Sequence, residues 1–283
     1  MRRSPTATAG DVFPQPDVSR LGAGSNRCLL ILQKTYTFCL IVQIAISCSP
    51  PVHDNFAGDT DGALLSAIER RNIAKVQTVL RRKPELVNKQ IRYYTPLGSA
   101  VAKSEVEIVA LLLDHGADVN QQIAYDGHIS RSPLEEAVSL PPEREKEAYP
   151  ITKMLLDRGA NVNATSSSGD DVLHLATIGR SPGRLRLLLS KNPDMEKTDT
   201  DGSTPLHWAA TFGWFDGVNI LLEHGANPLA KDVQGRTPLQ HAELHLRVLK
   251  HVGAKVEEVE ETSRVVEILK KYEGKWEQRQ SRP

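Results

Sequence analysis

Thr204-Pro205-Leu206-His207 is one copy of a short phrase that returns along most of this 283-residue chain. Variant copies begin at Thr95, Ser132, Asp171 and Thr237, and a degenerate copy begins at Gly62. The spacing of these starting points indicates a unit of about 33 residues that underlies most of the sequence. Because the repeat covers so much of the chain, it decides the fold and most of the function.

Each unit is predicted to contain two helices and an extended finger, and the fifth unit shows this most clearly. Thr204 can cap a helix by accepting a backbone N–H, and Pro205 suits the first helical position, where its missing donor is not needed. Gly213 is expected to end this helix, and Gly225 to end a second one in the left-handed conformation. Such a unit has no way to bury its apolar face alone, so the units must stack.

This pattern resembles the ankyrin repeat, whose signature, Thr-Pro-Leu-His-x-Ala, recurs with the same period. A second half-motif recurs in phase with the first, in the stretches 112–120, 155–163 and 221–228. The resemblance extends from Asp61 to Asp232, with a less regular sixth unit that continues to about Gly274. It implies an all-α fold, an ankyrin-repeat solenoid of stacked helix-turn-helix units with short hairpin fingers.

The departures from the regular period predict where the array is irregular. The finger between Asn120 and Ser132 is longer than the others, and the stretch 139–150 carries extra residues between two helices. Both insertions fall at turns, where a stacked array tolerates them. In the last unit we expect an amphipathic capping helix after Thr262, and we interpret the residues that precede it as an insertion.

The repeat domain is predicted to span residues 61–274, with a disordered tail at 275–283. Three segments precede it: a disordered or wrongly assigned extension at 1–27, an apolar signal-like or anchor-like segment at 28–48, and a linker at 49–60. The apolar segment is a poor transmembrane helix because Lys34 interrupts it, and the uncharged run 35–47 has the length of a signal-peptide core.

The end of that apolar segment, Ile44–Cys48, resembles the lipobox of a bacterial lipoprotein, which implies that Cys48 is a lipidation site. The protein would then be exported and tethered to a membrane. The alternative is an apolar extension that is disordered or mistranslated, in which case the protein would be cytoplasmic. All three cysteines lie in this segment, so no disulfide or metal framework supports the repeats.

The composition and the motifs argue against nucleic-acid binding and against catalysis. Basic and acidic residues number 35 each, so there is no basic excess to attract phosphate groups. The resemblance gives His174 and His207 a structural role, a hydrogen bond between neighbouring units. His241 and His245 are spaced like two metal ligands but lack an evident third ligand, so they are weak candidates for a metal site. No cofactor is predicted.

The predicted function is therefore binding, by a monomeric array that acts as an adaptor or regulatory scaffold. In the ankyrin family the fingers and first helices form a concave face that contacts a protein partner. The residues that match these positions, most of them aromatic, are Tyr93, Tyr94, Tyr125, Thr211, Phe212 and Trp214. Two alternatives stay open: the rings pack between units, or the protein is an enzyme or metal-dependent protein that uses the C-terminal histidines.

Overall fold

The computed structural model describes residues 62–91, 95–125, 129–165 and 169–280, all within a compact unit that spans Pro50–Pro283. Twelve α-helices lie in these ranges. They are α1 (Ala63–Glu69), α2 (Ile73–Arg82), α3 (Pro96–Ala102), α4 (Val106–Asp114), α5 (Pro133–Ser139), α6 (Glu145–Asp157), α7 (Val172–Gly179), α8 (Pro182–Leu189), α9 (Pro205–Thr211), α10 (Phe215–Glu223), α11 (Pro238–Val252) and α12 (Val256–Gln280).

The helices form stacked pairs, one pair to each repeat unit. First helices of successive units pack against each other, second helices do the same, and Leu, Val, Ile and Ala side chains fill the space between the layers. This arrangement confirms the predicted all-α solenoid. None of the helices in the described ranges is both long enough and apolar enough to span a membrane.

The recurring phrase starts the first helix of five of the units described. Thr95 accepts the N–H of Gly98 at 3.0 Å, and Pro96 occupies the first helical position. At Ser132 and Thr237 the cap is reciprocal, because the side chain three residues later also accepts the N–H of the capping residue. The helix-ending role of Gly225 is confirmed, since its φ is 95°, a left-handed value that glycine adopts without strain.

Both insertions have a defined structure. The lengthened finger forms an antiparallel hairpin of β1 (Ile123–Tyr125) and β2 (Ile129–Arg131), in which Ile123 pairs with Arg131. The insertion at 139–150 forms a short 3₁₀ turn, Pro142–Arg144, and then the first turns of α6, which reaches 13 residues. The second insertion therefore lengthens a helix as well as a turn.

The last unit differs from the prediction. Helix α11 runs without interruption for 15 residues and ends at Gly253, whose φ is 67°. Helix α12 begins at Val256, not after Thr262. The residues interpreted as an insertion therefore belong mostly to the ends of two helices, which a tight turn separates. The physical reason is that Leu246 occupies the place that the helix-ending Gly213 holds one repeat earlier. Helix α12 also continues to Gln280, past the end predicted for the array near residue 274.

Candidate functional site

The fingers of the fifth and sixth units are folded by two aspartates at equivalent positions. The Oδ1 atom of Asp199 accepts the N–H groups of Asp201 and Ser203 at 2.9 and 2.8 Å. Asp232, one repeat later, accepts two N–H groups in the same way at 2.9 and 2.8 Å. These carboxylates close the finger turns, which explains why acidic residues recur at this point of the repeat.

The second oxygen of each of these aspartates holds a ring from the first helix of its unit. The indole Nε1–H of Trp208 donates to Oδ2 of Asp199 at 2.8 Å, and Nε2 of His241 lies 2.9 Å from Oδ2 of Asp232. Trp208 also meets Phe212 edge to face, with 6.1 Å between ring centroids, and both residues are partly exposed. The fifth unit therefore presents an aromatic pair beside its finger.

Two histidines of the motif join neighbouring units, as the resemblance predicted. The Nε2–H of His174 donates to the carbonyl of Ser203 at 2.9 Å, and that of His207 donates to the carbonyl of Arg236 at 3.0 Å. Both bonds span 29 residues and reach the finger of the next unit. Both imidazoles are buried, so their role in holding the stack together is confirmed.

The pKa values of these two imidazoles are shifted in opposite directions. Burial lowers the pKa of His207 to about 4, and its Nδ1 accepts the N–H of Thr204 at 3.1 Å, as a neutral imidazole does. Burial also lowers the pKa of His174, but the Asp171 carboxylate 2.9 Å from Nδ1 outweighs burial and raises it overall. The difference follows from the capping residue, which is Asp in the fourth unit and Thr in the fifth.

A further ladder of hydrogen bonds joins the finger bases. The Oδ1 atoms of Asn88, Asn120 and Asn163 each accept a backbone N–H of the following unit, at 2.7, 2.8 and 3.0 Å. Glu196 fills the equivalent position in the next step and accepts the N–H of Asn227 at 2.8 Å. These side chains fix the spacing of the units and are not available to bind a ligand through the same atoms.

Of the two weak candidates for a metal site, His241 is occupied by contacts within the protein. Both ring nitrogens of His241 are engaged, Nε2 with Asp232 and Nδ1 with the hydroxyl of Thr211 at 2.9 Å. His245 lies against Gly213, and burial lowers its pKa to about 4. Across the described ranges, no group of three potential ligand residues could hold a metal ion. His241 therefore links the sixth unit to the fifth through its contact with Thr211.

The predicted partner-contact residues differ in where the structure places them. Tyr93 and Tyr94 lie outside the described residues, and Tyr125 is described only as part of strand β1. Thr211 is partly buried and donates to the carbonyl of His207 at 2.8 Å, so it has a structural role. Phe212 is partly exposed at the end of α9, where it can meet a partner.

Trp214 requires a correction, because its side chain belongs to the core. Only 3% of it is exposed, and it covers Gly217 so closely that a Cβ there would lie 2.0 Å from Cε3 of Trp214. A side chain this buried has no surface to offer a partner. Trp208, which the sequence reasoning had not selected, replaces it beside Phe212. Its position on the first helix, next to the finger, was the signal that could have identified it.

Arg184 is a second residue that sequence reasoning missed. Only 1% of it is exposed, although an arginine in an amphipathic helix is normally expected in solvent. Its Nη1 donates to the carbonyls of Ala137 and Val138, and its Nη2 to those of Leu140 and Gly179, at 2.8 to 3.1 Å. It therefore satisfies carbonyls at the ends of α5 and α7, which have no partner within their own helices.

Stacked helix pairs joined by hydrogen-bonded fingers define a solenoid repeat protein. Sequence comparison gives the particular family. A family model for ankyrin repeats in three copies matches residues 134–232 and 173–254, and a model for the single ankyrin repeat matches residues 92–123. These matches cover more than half of the chain, which belongs to the ankyrin repeat family.

Individual relatives match only in part. The human ankyrin repeat and SOCS box protein 6 is 40% identical over 83 residues, which is 29% of this chain and 18% of that protein. The mouse B-cell lymphoma 3 protein homolog is 36% identical over 119 residues, which is 41% of this chain and 25% of that protein. The chain thus spans no more than about a quarter of the length of these relatives.

Proposed function

We propose that this protein is a non-catalytic interaction module, an adaptor or regulatory scaffold that binds another protein through the face its fingers and first helices share. This face is the concave one in the ankyrin family. The observation that carries the proposal is the aromatic pair of Trp208 and Phe212, which stays partly exposed beside the finger of its unit. Aromatic side chains of this kind are favoured as anchors in protein interfaces.

The chemistry of the histidines supports binding over catalysis. His174, His207 and His241 each use a ring nitrogen to contact the next unit or the finger, at 2.9 to 3.0 Å. A general base or metal ligand needs a nitrogen that faces the substrate or the ion, and these nitrogens face carbonyl or carboxylate oxygens of the protein. The contacts of His241 therefore weigh against the alternative of an enzyme that uses the C-terminal histidines.

Co-purification with two matched variants tests the proposal. Phe212→Ala removes an aromatic ring from the proposed face, whereas Tyr149→Ala removes one from helix α6, where the side chain is 40% exposed. We expect tagged protein from native cells to retain a stoichiometric partner, Phe212→Ala to lose it, and Tyr149→Ala to keep it. The two thermal unfolding curves show whether both variants are folded. Retention by a folded Phe212→Ala variant, with loss by Tyr149→Ala, would place the interface elsewhere.

The membrane tether is a separate proposal that rests on the sequence alone. Cys48 lies outside the described residues, and its role as a lipidation site depends on the resemblance of Ile44–Cys48 to a lipobox. Intact-mass analysis of the native protein tests it. A mature chain that begins at Cys48 and carries added lipid mass supports the tether, and an unprocessed Met1 contradicts it.

A further inference from the structure

The aromatic pair belongs to a continuous strip of surface, which we call the finger strip: Asp199, Asp201, Trp208, Phe212 and Val233. The indole of Trp208 is hydrogen-bonded to Asp199, and the carbonyl of Asp201 accepts the N–H of Val233 at 3.0 Å. Val233 is 70% exposed at the tip of the next finger and lies against Gly202, where a Cβ would be 3.0 Å from its Cγ1 atom. Apolar groups thus lie on both sides of the turn that carries Asp201.

The charge beside these apolar groups is negative. Asp201 is exposed, and its carboxylate makes no ion pair with any residue in the described ranges. Of the nearby cations, Lys197 points to the preceding finger, because its Nζ donates to the carbonyl of Asn163 at 3.1 Å and to Oγ1 of Thr165 at 2.6 Å. Lys231 is exposed, but it belongs to the next finger, two residues before Val233. Glu196 is also exposed at the base of this finger. The side of the finger strip that the fifth finger forms is therefore acidic, and its centre is aromatic.

We propose that the finger strip accepts a segment of a protein partner in which lysine or arginine side chains flank an apolar one. The apolar side chain packs on Trp208 and Phe212, and one cationic side chain lies beside Asp201. A second lies beside the Oε2 atom of Glu196, whose Oε1 atom accepts the N–H of Asn227. Charge complementarity of this kind steers encounter and selects among partners more than it adds affinity. This inference rests on the proposed function and adds the chemistry of the partner to it.

A random twelve-residue peptide library, displayed on phage and selected against the full chain, provides the probe. We expect the enriched peptides to carry more Lys and Arg than Asp and Glu, together with at least one large apolar residue. The strongest peptide should bind at least tenfold more weakly to an Asp201→Lys variant, and its affinity should fall as salt rises. The control Asp216→Lys reverses an exposed acidic charge on α10 and should change the affinity less than twofold.

The outcomes separate this inference from the proposed function. Peptides that need Phe212 but carry no basic excess, or that bind Asp201→Lys normally, would overturn the partner chemistry and leave the face intact. A library that enriches no peptide would contradict the partner chemistry alone, and peptides that bind Phe212→Ala as tightly as the unaltered chain would contradict both. Loss of binding in Asp216→Lys equal to that in Asp201→Lys would show that net charge alone acts, and would also overturn the inference.

Discussion

The guanidinium of Arg184 donates from Nε to the carboxylate of Glu145 at 2.9 Å, although 39 residues separate them in the chain. Glu145 is the first residue of α6 and part of the insertion at 139–150, and its other oxygen accepts the hydroxyl of Ser181 at 2.6 Å. The inserted turn of the third unit is thus anchored on the second helix of the fourth.

Arg184→Ala should destabilise the protein strongly. Glu145 is 37% exposed, so solvent weakens its ion pair with Arg184, but several buried helix-end carbonyls also lose their donor, and each unsatisfied group costs about 1 to 3 kcal/mol. The midpoint of urea unfolding measures the loss. Arg186→Ala, which truncates an exposed arginine on the same helix, is the control and should change the free energy of unfolding by less than about 0.5 kcal/mol. Equal effects of the two substitutions would show that Arg184 is not the anchor.

Acid should weaken the array through His207. Its pKa is about 4 in the folded protein and near 6.5 when unfolded, so the unfolded chain binds more protons between these values and stability falls as pH falls. The loss at pH 5 is on the order of 2 kcal/mol, since each pKa unit corresponds to about 1.4 kcal/mol. Urea unfolding at pH 7 and pH 5 measures it.

The matched variant for this measurement is His207→Gln, because Gln240 occupies the same position in the sixth unit and completes the helix cap there. Glutamine does not titrate, so the variant should lose less stability than the unaltered chain between pH 7 and pH 5. An identical loss in both proteins would assign the acid sensitivity to other groups.

His174 should show the opposite pH dependence. Its folded pKa is raised above the unfolded value, so its stabilising contribution is present below about pH 6.5 and is lost as pH rises through the folded pKa. Side-chain NMR signals followed from pH 4 to 9 measure both histidines directly. We expect His174 to titrate at a higher pH than His207, and Asp171→Asn to lower the midpoint of His174. The reverse order would contradict the role assigned to Asp171.

Gly217→Ala tests whether Trp214 is a core residue. The added methyl group would meet the indole at 2.0 Å, so the substitution should force Trp214 out of place and destabilise the protein by about 1 to 3 kcal/mol. A red shift of the tryptophan fluorescence in the folded variant would report the new exposure. Gly274→Ala, where nothing lies within 4 Å, should be neutral or stabilising. Full tolerance of Gly217→Ala would mean that the indole does not pack there.

The sequence predicted the architecture well because each repeat contains residues that start and end its helices. Caps such as Thr237 and terminators such as Gly225 act locally, so their residue types indicate where helices begin and end. The prediction for the last unit was wrong at the point where a helix-ending glycine is missing, because Leu246 allows the helix to continue. Predicting that continuation requires noticing an absent signal.

The candidate site was less predictable because it depends on contacts between distant residues. Nothing in the local sequence distinguishes the buried Trp214 from the partly exposed Trp208. The difference in exposure arises because the ring of Trp214 packs on Gly217, whereas the ring of Trp208 is hydrogen-bonded to Asp199. Arg184 is hidden for the same reason, since its partners are carbonyls from α5, in the preceding unit, and from the end of α7. Side-chain burial between units is set by stacking, which a pattern along the chain does not show.

The central claim is that a protein partner binds the face formed by the fingers and first helices. Hydrogen–deuterium exchange of the co-purified complex, compared with the free chain, tests it most directly. The claim predicts slower exchange on binding in residues 199–212, which include the finger turn and α9, with little change in α6 and α10. Unchanged exchange in residues 199–212, with slowing confined to the second helices, would contradict it.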